Sequence, residues 1–261
     1  MKKAPLRYVL AIMRFTPVLT MDRYVEQFQE RVRKNYPHFS DQKHQGVQLE
    51  VGPNGATTRQ VNGTTWQFSS ADRRFAIMLG KDFLVVHAGT GYNGHEDFLE
   101  RMRYALAAFQ DIDGLPDHFT SLGYRYVDMI VPQKEQSLSD YLNSWVMPVE
   151  DVAALDGLSL LNGASFTAFK AELGVVRFSA LRRPPVSLPH ELLNQFIHEN
   201  GWYEQPPSEE FALLDFDYSA PMPQTPEIVA DTVIQKLSIM SSVLSKLFDQ
   251  AITDHARTVW R

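Results

Sequence analysis

There is no cysteine anywhere in the 261 residues. Disulfides, thiolate nucleophiles and cysteine-based zinc or iron–sulfur centres are therefore excluded, and the composition fits a reducing cytoplasm. A basic excess is also missing. The chain has 25 Lys and Arg against 31 Asp and Glu, a net charge of −6. Without the broad positive field that phosphate-backbone binding draws on, nucleic acid becomes the less favoured partner. No run approaches the roughly 18 uncharged apolar residues of a membrane-spanning helix, so no membrane partner is expected. Met1-Lys2-Lys3-Ala4-Pro5 is a basic start, but Arg7 and Arg14 interrupt the apolar stretch behind it and no small-residue cleavage pattern follows. A first strand is expected there, not a signal peptide. Serine nucleophile elbows and His-Glu-x-x-His pairs are absent as well.

What is present is the composition of a folded globular protein, 44% hydrophobic and 21% charged, enough to bury a large core. Leu6 to Phe15 is rich in β-branched and aromatic residues and stops at Pro17, which predicts a strand. Tyr24, Val25, Phe28, Val32 and Tyr36 recur at three- and four-residue steps, predicting an amphipathic helix over 21–36 that Pro37 ends. Val47 to Val51 alternates, and Pro53-Asn54-Gly55 is a turn signal. The strand from Thr57 to Ser69 is expected to break at Asn62-Gly63, giving two hairpins. Phe75 to Leu79 and Phe83 to Ala88 extend the meander. His95 to Phe109 reads as a helix with Phe98, Met102, Ala105, Leu106 and Phe109 on one stripe, and Phe119 to Val131 as a closing strand.

The second half repeats this pattern loosely. Leu138 to Val146 predicts a short helix and Asp156-Gly157 a loop. Ser165 to Leu173 and Val175 to Leu181 predict a hairpin about Gly174, and Phe211 to Tyr218 a further strand. Thr225-Pro226-Glu227 opens a last helix, since proline is tolerated in a first turn. Val229, Val233, Leu237, Met240, Leu244, Leu247 and Phe248 mark one apolar face of that helix, read as running from Ile228 to Trp260. The order of elements predicts an α+β fold, with antiparallel sheets packed against helices in two pseudo-similar halves, 1–134 and 135–261.

Ala4-Pro5-Leu6 with Arg14-Phe15 and Pro17, Trp66-Gln67-Phe68 with Asp72, Asp82-Phe83-Leu84, and Tyr92 ahead of Phe98 occur in that order. Gly123-Tyr124-Arg125-Tyr126-Val127-Asp128-Met129-Ile130 follows, then Asp215-Phe216-Asp217 and a final helix ending near Ile252-Thr253. Together these resemble a family of sporadically distributed, uncharacterised bacterial proteins whose hallmark is a Gly-Leu-Arg-Tyr-Ile-Asn segment. The likeness covers most of the chain. Tyr124 stands where the hallmark has Leu and Asp128 where it has Asn, so a role that needs an amide there does not carry over. The resemblance implies a mobile, horizontally exchanged bacterial gene and no established activity.

Candidate chemistry is sparse. Asp215 and Asp217 are two apart on a predicted strand and so share a face. With Asp128 as a third ligand they would form the skeleton of a metal-dependent nucleic-acid hydrolase; the alternative is a solvated strand face. His190 and His198 would share a helix face with Asn194, as an amphipathic surface helix also explains, and His255 beside Asp254 suits a helix C-terminus. Gly89-Thr90-Gly91-Tyr92-Asn93-Gly94 lacks the Gly-Lys-Ser/Thr ending of a phosphate loop and reads as a strand-to-helix turn capped by Asn93. Arg125 between Tyr124 and Tyr126 suggests either stacking on a base or an interface, or a structural pair with an acid such as Asp72. Arg182-Arg183 ahead of Pro184-Pro185 is the most basic element that reads as exposed. Tyr124, Arg125, Tyr126, Arg182 and Arg183 are the binding candidates, and neither a cofactor nor a resident metal is expected.

Two classes of function follow. The first is a non-enzymatic interaction protein, binding a protein partner or forming a homo-oligomer through the C-terminal helix, within a mobile defence or toxin-linked locus. The second is the metal-dependent hydrolase, with RNA binding on an open sheet beside it on fold analogy.

Overall fold

The computed structural model describes residues 5–52, 55–89, 91–147, 161–199, 201–202, 205–207 and 210–260, with the backbone alone for 44–52 and 55–62. The turn expected at Pro53-Asn54 and the loop expected at Asp156-Gly157 lie outside the described residues, as does Thr90. Among the described residues nine strands form one antiparallel sheet: β1 (Leu6–Phe15), β2 (His38–Gly52), β3 (Gly55–Ser69), β4 (Phe75–Leu79), β5 (Phe83–Ala88), β6 (Phe119–Ile130), β7 (Gly163–Lys170), β8 (Val175–Arg182) and β9 (Ala212–Pro221). Their spatial order is β2-β3-β4-β5-β1-β6-β9-β8-β7. Six helices of the described residues accompany them: α1 (Asp22–Val32), α2 (His95–Gln110), α3 (Leu138–Tyr141), α4 (His190–Gln195), α5 (Ala230–Ala251) and α6 (Asp254–Val259). The α+β expectation is met. The two expected halves contribute six and three strands to a single sheet, joined where β6 pairs with β9.

Period-two alternation gives each strand one side chain for each face. One face carries Val9, Met13, Phe68, Ile77, Val86, Tyr124, Tyr126, Phe178, Phe216 and Tyr218, buried under α1, α2 and α5 with α3 and α6 at one end. The stripe Val233, Leu237, Met240 and Leu244 of α5 is spent on this core, and Ile239, 37% exposed, is the large apolar side chain that α5 leaves outside. The opposite face carries Tyr8, Leu10, Met78, Val85, Val127 and Met129. Leu188, Leu192, Phe196 and Trp202 cover them, all from the segment 183–211 between β8 and β9. The described residues of that segment lie on the sheet as a strap containing α4, and its ends meet where the Arg183 N–H donates to the Phe211 carbonyl at 3.0 Å.

Several local expectations are corrected. Asn62-Gly63 makes no turn: β2 pairs with β3 without a break from His38/Ser69 to Gly52/Gly55, and a fifteen-residue ladder outweighs a dipeptide's turn preference. α2 is capped by Gly94 at φ +127°, a conformation that favours glycine, while the Asn93 Oδ1 accepts from Arg74 at 3.0 Å. The last helix stops at Ala251. Thr253 then caps α6, its hydroxyl accepting from the Ala256 N–H, and Ile252 bridges back to Leu142.

Candidate functional site

The Gly123–Ile130 run lies on central β6, between β1 and β9, and alternation divides its candidates between two environments. Tyr124 and Tyr126 are buried on the helix-bearing face. Their hydroxyls lie 3.3 Å apart, and that of Tyr126 also meets the Ser241 hydroxyl at 2.8 Å and Tyr92 at 3.2 Å. Burial raises the phenol of Tyr124, and neither ring presents a face on which a base would stack. Asp128 falls on the same side by alternation, opposite Leu214 in the register. Burial there, and secondarily the negative charge of Asp215, pushes its carboxyl up to about 8.

Arg125 points to the strap side. Its Nε donates to Asp215 Oδ1 at 2.7 Å and its Nη2 to Asp215 Oδ2 at 2.5 Å, while Nη2 also reaches Glu191 of α4 at 2.5 Å. Burial alone would lower the guanidinium, but these bonds outweigh it and raise its pKa. The expected partner Asp72 is instead turned onto its own loop, accepting from the Ser70 hydroxyl and the Arg74 N–H. Asp217, directly opposite Arg125 in the ladder, lies 3.6 Å from Arg177, which donates to Ser219 at 2.6 Å. Burial raises the carboxyls of both Asp215 and Asp217, with Arg125 pulling each back, whereas in Glu191 the bond to Arg125 and other favourable interactions outweigh burial and lower it.

These side chains line a cleft of about 390 Å³, bounded on its outer side by Phe166 and Ala168 of β7 and floored by Ser179. Three carboxylates face two guanidinium groups in it. Asp215 and Asp217 are therefore neighbours as expected, but Arg125 occupies the position a shared cation would take, and Asp128 lies through the sheet on the other face. The third ligand of the hydrolase reading is not brought to the site, and among the described residues no group of three or more His, Asp or Glu side chains is arranged to hold a metal ion. Arg182 and Arg183 stand apart from the cleft: Arg182 Nε bonds Glu210 at 2.6 Å and Arg183 lies 3.9 Å from the same carboxylate.

A second polar cluster on the strap side was not singled out from the sequence. The Tyr8 hydroxyl donates to His87 Nδ1 at 2.7 Å, and His87 Nε2 meets Gln67 Oε1 at 3.1 Å. Gln67 Nε2 donates onward to Glu199 Oε1 at 3.2 Å, the Ser69 hydroxyl to the same oxygen at 2.5 Å, and Arg73 to Glu199 Oε2 at 2.7 Å. The pattern assigns neutral His87 its proton on Nε2, and burial depresses its pKa well below the usual value, helped by His198. The donors converge on Glu199 and hold its carboxyl low against the opposing effect of burial. Trp202 adds a bond from its indole N–H to the Arg73 carbonyl at 2.7 Å. His198 is not on a helix face shared with His190: α4 ends at Gln195, and the His198 ring packs 5.3 Å from that of Tyr8. The cluster clasps the strap to the sheet. Gln67 and Ser69 alternating with Trp66 and Phe68, and a lone His in the apolar run Phe83–Ala88, were its sequence signals.

The fold and site define a class: a single antiparallel sheet, helix-covered on one face and clasped under a strap on the other, with a charged cleft at the margin of the strap. Comparison with family models, curated proteins and solved structures returns no match. Among the described residues no helix is long and apolar enough to cross a membrane.

Proposed function

We propose that this chain is a non-enzymatic interaction protein that receives an extended strand of a partner along the outer edge of β7. One observation carries the reading. Among the described residues β7 ends the sheet, and it exposes Phe166 (74%) toward the strap side and Phe169 (40%) toward the helix side. An edge strand is normally blunted by proline, a bulge or a central charge. β7 reads Gly-Ala-Ser-Phe-Thr-Ala-Phe-Lys, pairs with β8 without a register shift, and has its single charge at the last position. Edge pairing supplies affinity through the backbone and specificity through alternate side chains.

The apolar stripe of α5, the surface first expected to bind, is covered by the chain's own sheet, so the reading moves from that helix to β7. The hydrolase reading has no geometric support, because Asp128 is separated from Asp215 and Asp217 and Arg125 neutralises Asp215. The family resemblance adds a mobile defence or toxin-linked locus in the bacterial cytoplasm as the setting.

The test is capture at native expression level of tagged wild-type chain and of Phe166→Asp from the source cells. The reading expects a stoichiometric protein bound to wild type and lost from the variant. Equal recovery on both, or nucleic acid alone, contradicts it.

A further inference from the structure

The geometry points to a second copy of this chain as the strand that β7 accepts, paired antiparallel about a two-fold axis at Phe166; this rests on the edge-pairing reading above. The register follows from hydrogen bonding already in the sheet. Ala171 and Gly174 exchange both backbone bonds, the Ala171 N–H to the Gly174 carbonyl at 2.9 Å and the Gly174 N–H to the Ala171 carbonyl at 3.3 Å. Bonded pairs in an antiparallel ladder recur every second residue, and the β7–β8 register runs unbroken from Gly163/Arg182 to Lys170/Val175. Gly163, Ser165, Thr167 and Phe169 therefore turn their N–H and C=O groups inward to β8. Ala164, Phe166, Ala168 and Lys170 turn theirs outward.

A two-fold axis at Phe166 sets outward residues against outward residues, as backbone pairing requires. Phe166 then meets Phe166 of the second copy on the strap face, an aromatic cross-strand pair. Ala164 meets Ala168, two small side chains that leave room for the rings on either side. On the helix face Ser165 meets Thr167 and Phe169 meets Gly163, whose missing side chain leaves open space: an added Cβ there would find Arg182 Cβ at 3.9 Å as its nearest neighbour. An aromatic ring laid over a cross-strand glycine repairs a weak point of a sheet. One register thus covers both exposed phenylalanines of β7. It also carries the two Lys170 side chains to opposite ends of the joint, so no like charges oppose each other even though each chain has a net charge of −6. The pairing closes with C2 symmetry and covers the β7 edge of both copies at once.

The absence of cysteine makes the register directly readable, because introduced thiols are the only ones present. Light scattering on wild type at tens of micromolar is expected to give twice the 29.8 kDa chain mass, and Phe166→Asp, checked for an unchanged melting curve in dilute solution where the wild type is also a single chain, is expected to return the single mass. Equimolar Ala164→Cys and Ala168→Cys proteins, both substituted at exposed alanines, are mixed and oxidised. The mixed disulfide is expected to exceed the two homodisulfides together by several-fold, since opposed Cα atoms about 5.5 Å apart suit a disulfide. A monomeric wild type, a dimer indifferent to Phe166→Asp, or disulfides without preference for the mixed species overturns the inference. A monomer that still captures a Phe166-dependent protein from lysate overturns the second copy while leaving the edge-pairing reading intact; a monomer that captures none sinks both.

Discussion

The two faces of the sheet are buried by different means. On the helix-bearing face, rings and aliphatic side chains interlock: Phe98 sits 5.7 Å from Tyr92 and 5.8 Å from Tyr124, ring to ring, and Phe15 4.9 Å from Phe109. On the strap face, a segment with one short helix is held by side-chain bonds from Glu199, Trp202 and Glu191 to groups on the sheet and its loops. Area buried against a helix layer is non-directional, and tolerates any close packing. A polar clasp is directional: it fixes where the strap lies, and it is costly when one partner is lost. The lesson is one of division, with the helix face supplying bulk stability and the strap face fixing position. The margin where the strap stops leaves β7 open.

Substitutions on each face sharpen this contrast. Phe98→Ala, which empties a fully buried ring site, should cost the most, about 4 kcal/mol in urea unfolding. Arg125→Met should cost about 3 kcal/mol, because it leaves Asp215 buried without its cation, and adding Asp215→Leu should restore a large part of that loss. A double variant no better than the single would break the account of the cleft as a neutralised structural pair. Glu199→Gln, similar in shape but uncharged, should cost about 2 kcal/mol from its bonds to Ser69 and Arg73 and should raise amide exchange in residues 196–202 while α2 is unchanged.

Buried titratable groups give the fold two opposite responses to pH. His87 is held neutral when folded but takes a proton in the unfolded chain, so its contribution is lost as pH falls below about 6.5. His198, also depressed by burial, acts in the same sense. Asp128 runs the other way. Its folded pKa of about 8 lies above the ordinary 3.8, so the native state keeps a proton that the unfolded chain has released, and stability declines as pH rises from about 4 toward 8. Asp215 and Asp217 are raised too and act with it. Asp128→Asn should flatten the alkaline decline, and His87→Gln the loss between pH 6.5 and 5, each read from melting temperature against pH. The smallest effect on stability in dilute solution belongs to Phe166→Asp, within about 0.5 kcal/mol, because that ring is 74% exposed.

Much of the scaffold was legible because its signals are local. β-Branched and aromatic richness ending at Pro17 marked β1, alternation marked β6, and the stripe through Phe98, Met102 and Phe109 marked α2. The face-sharing of Asp215 and Asp217, and the opposition of Arg125 to its flanking tyrosines, also followed from period two alone. The partner of Arg125 was not legible, since strand β9 comes beside β6 only through tertiary pairing ninety residues later. The clasp was hidden for the same reason: Glu199 meets Gln67, Ser69 and Arg73 across more than 120 residues of chain. The single helix expected to Trp260 failed at Thr253, where a side-chain cap and the bridge of Ile252 to Leu142 outweigh the continuing apolar pattern.

The most direct test of β7 as the interaction edge is residue-resolved amide exchange along Gly163–Lys170 in dilute and in concentrated protein. In dilute solution the account predicts fast exchange at Ala164, Phe166, Ala168 and Lys170 alternating with protection at Ser165, Thr167 and Phe169, and protection of all seven once the edge is paired at high concentration. Outward amides already slow in dilute solution, or still fast when the chain is concentrated and its captured partner is present, would contradict it.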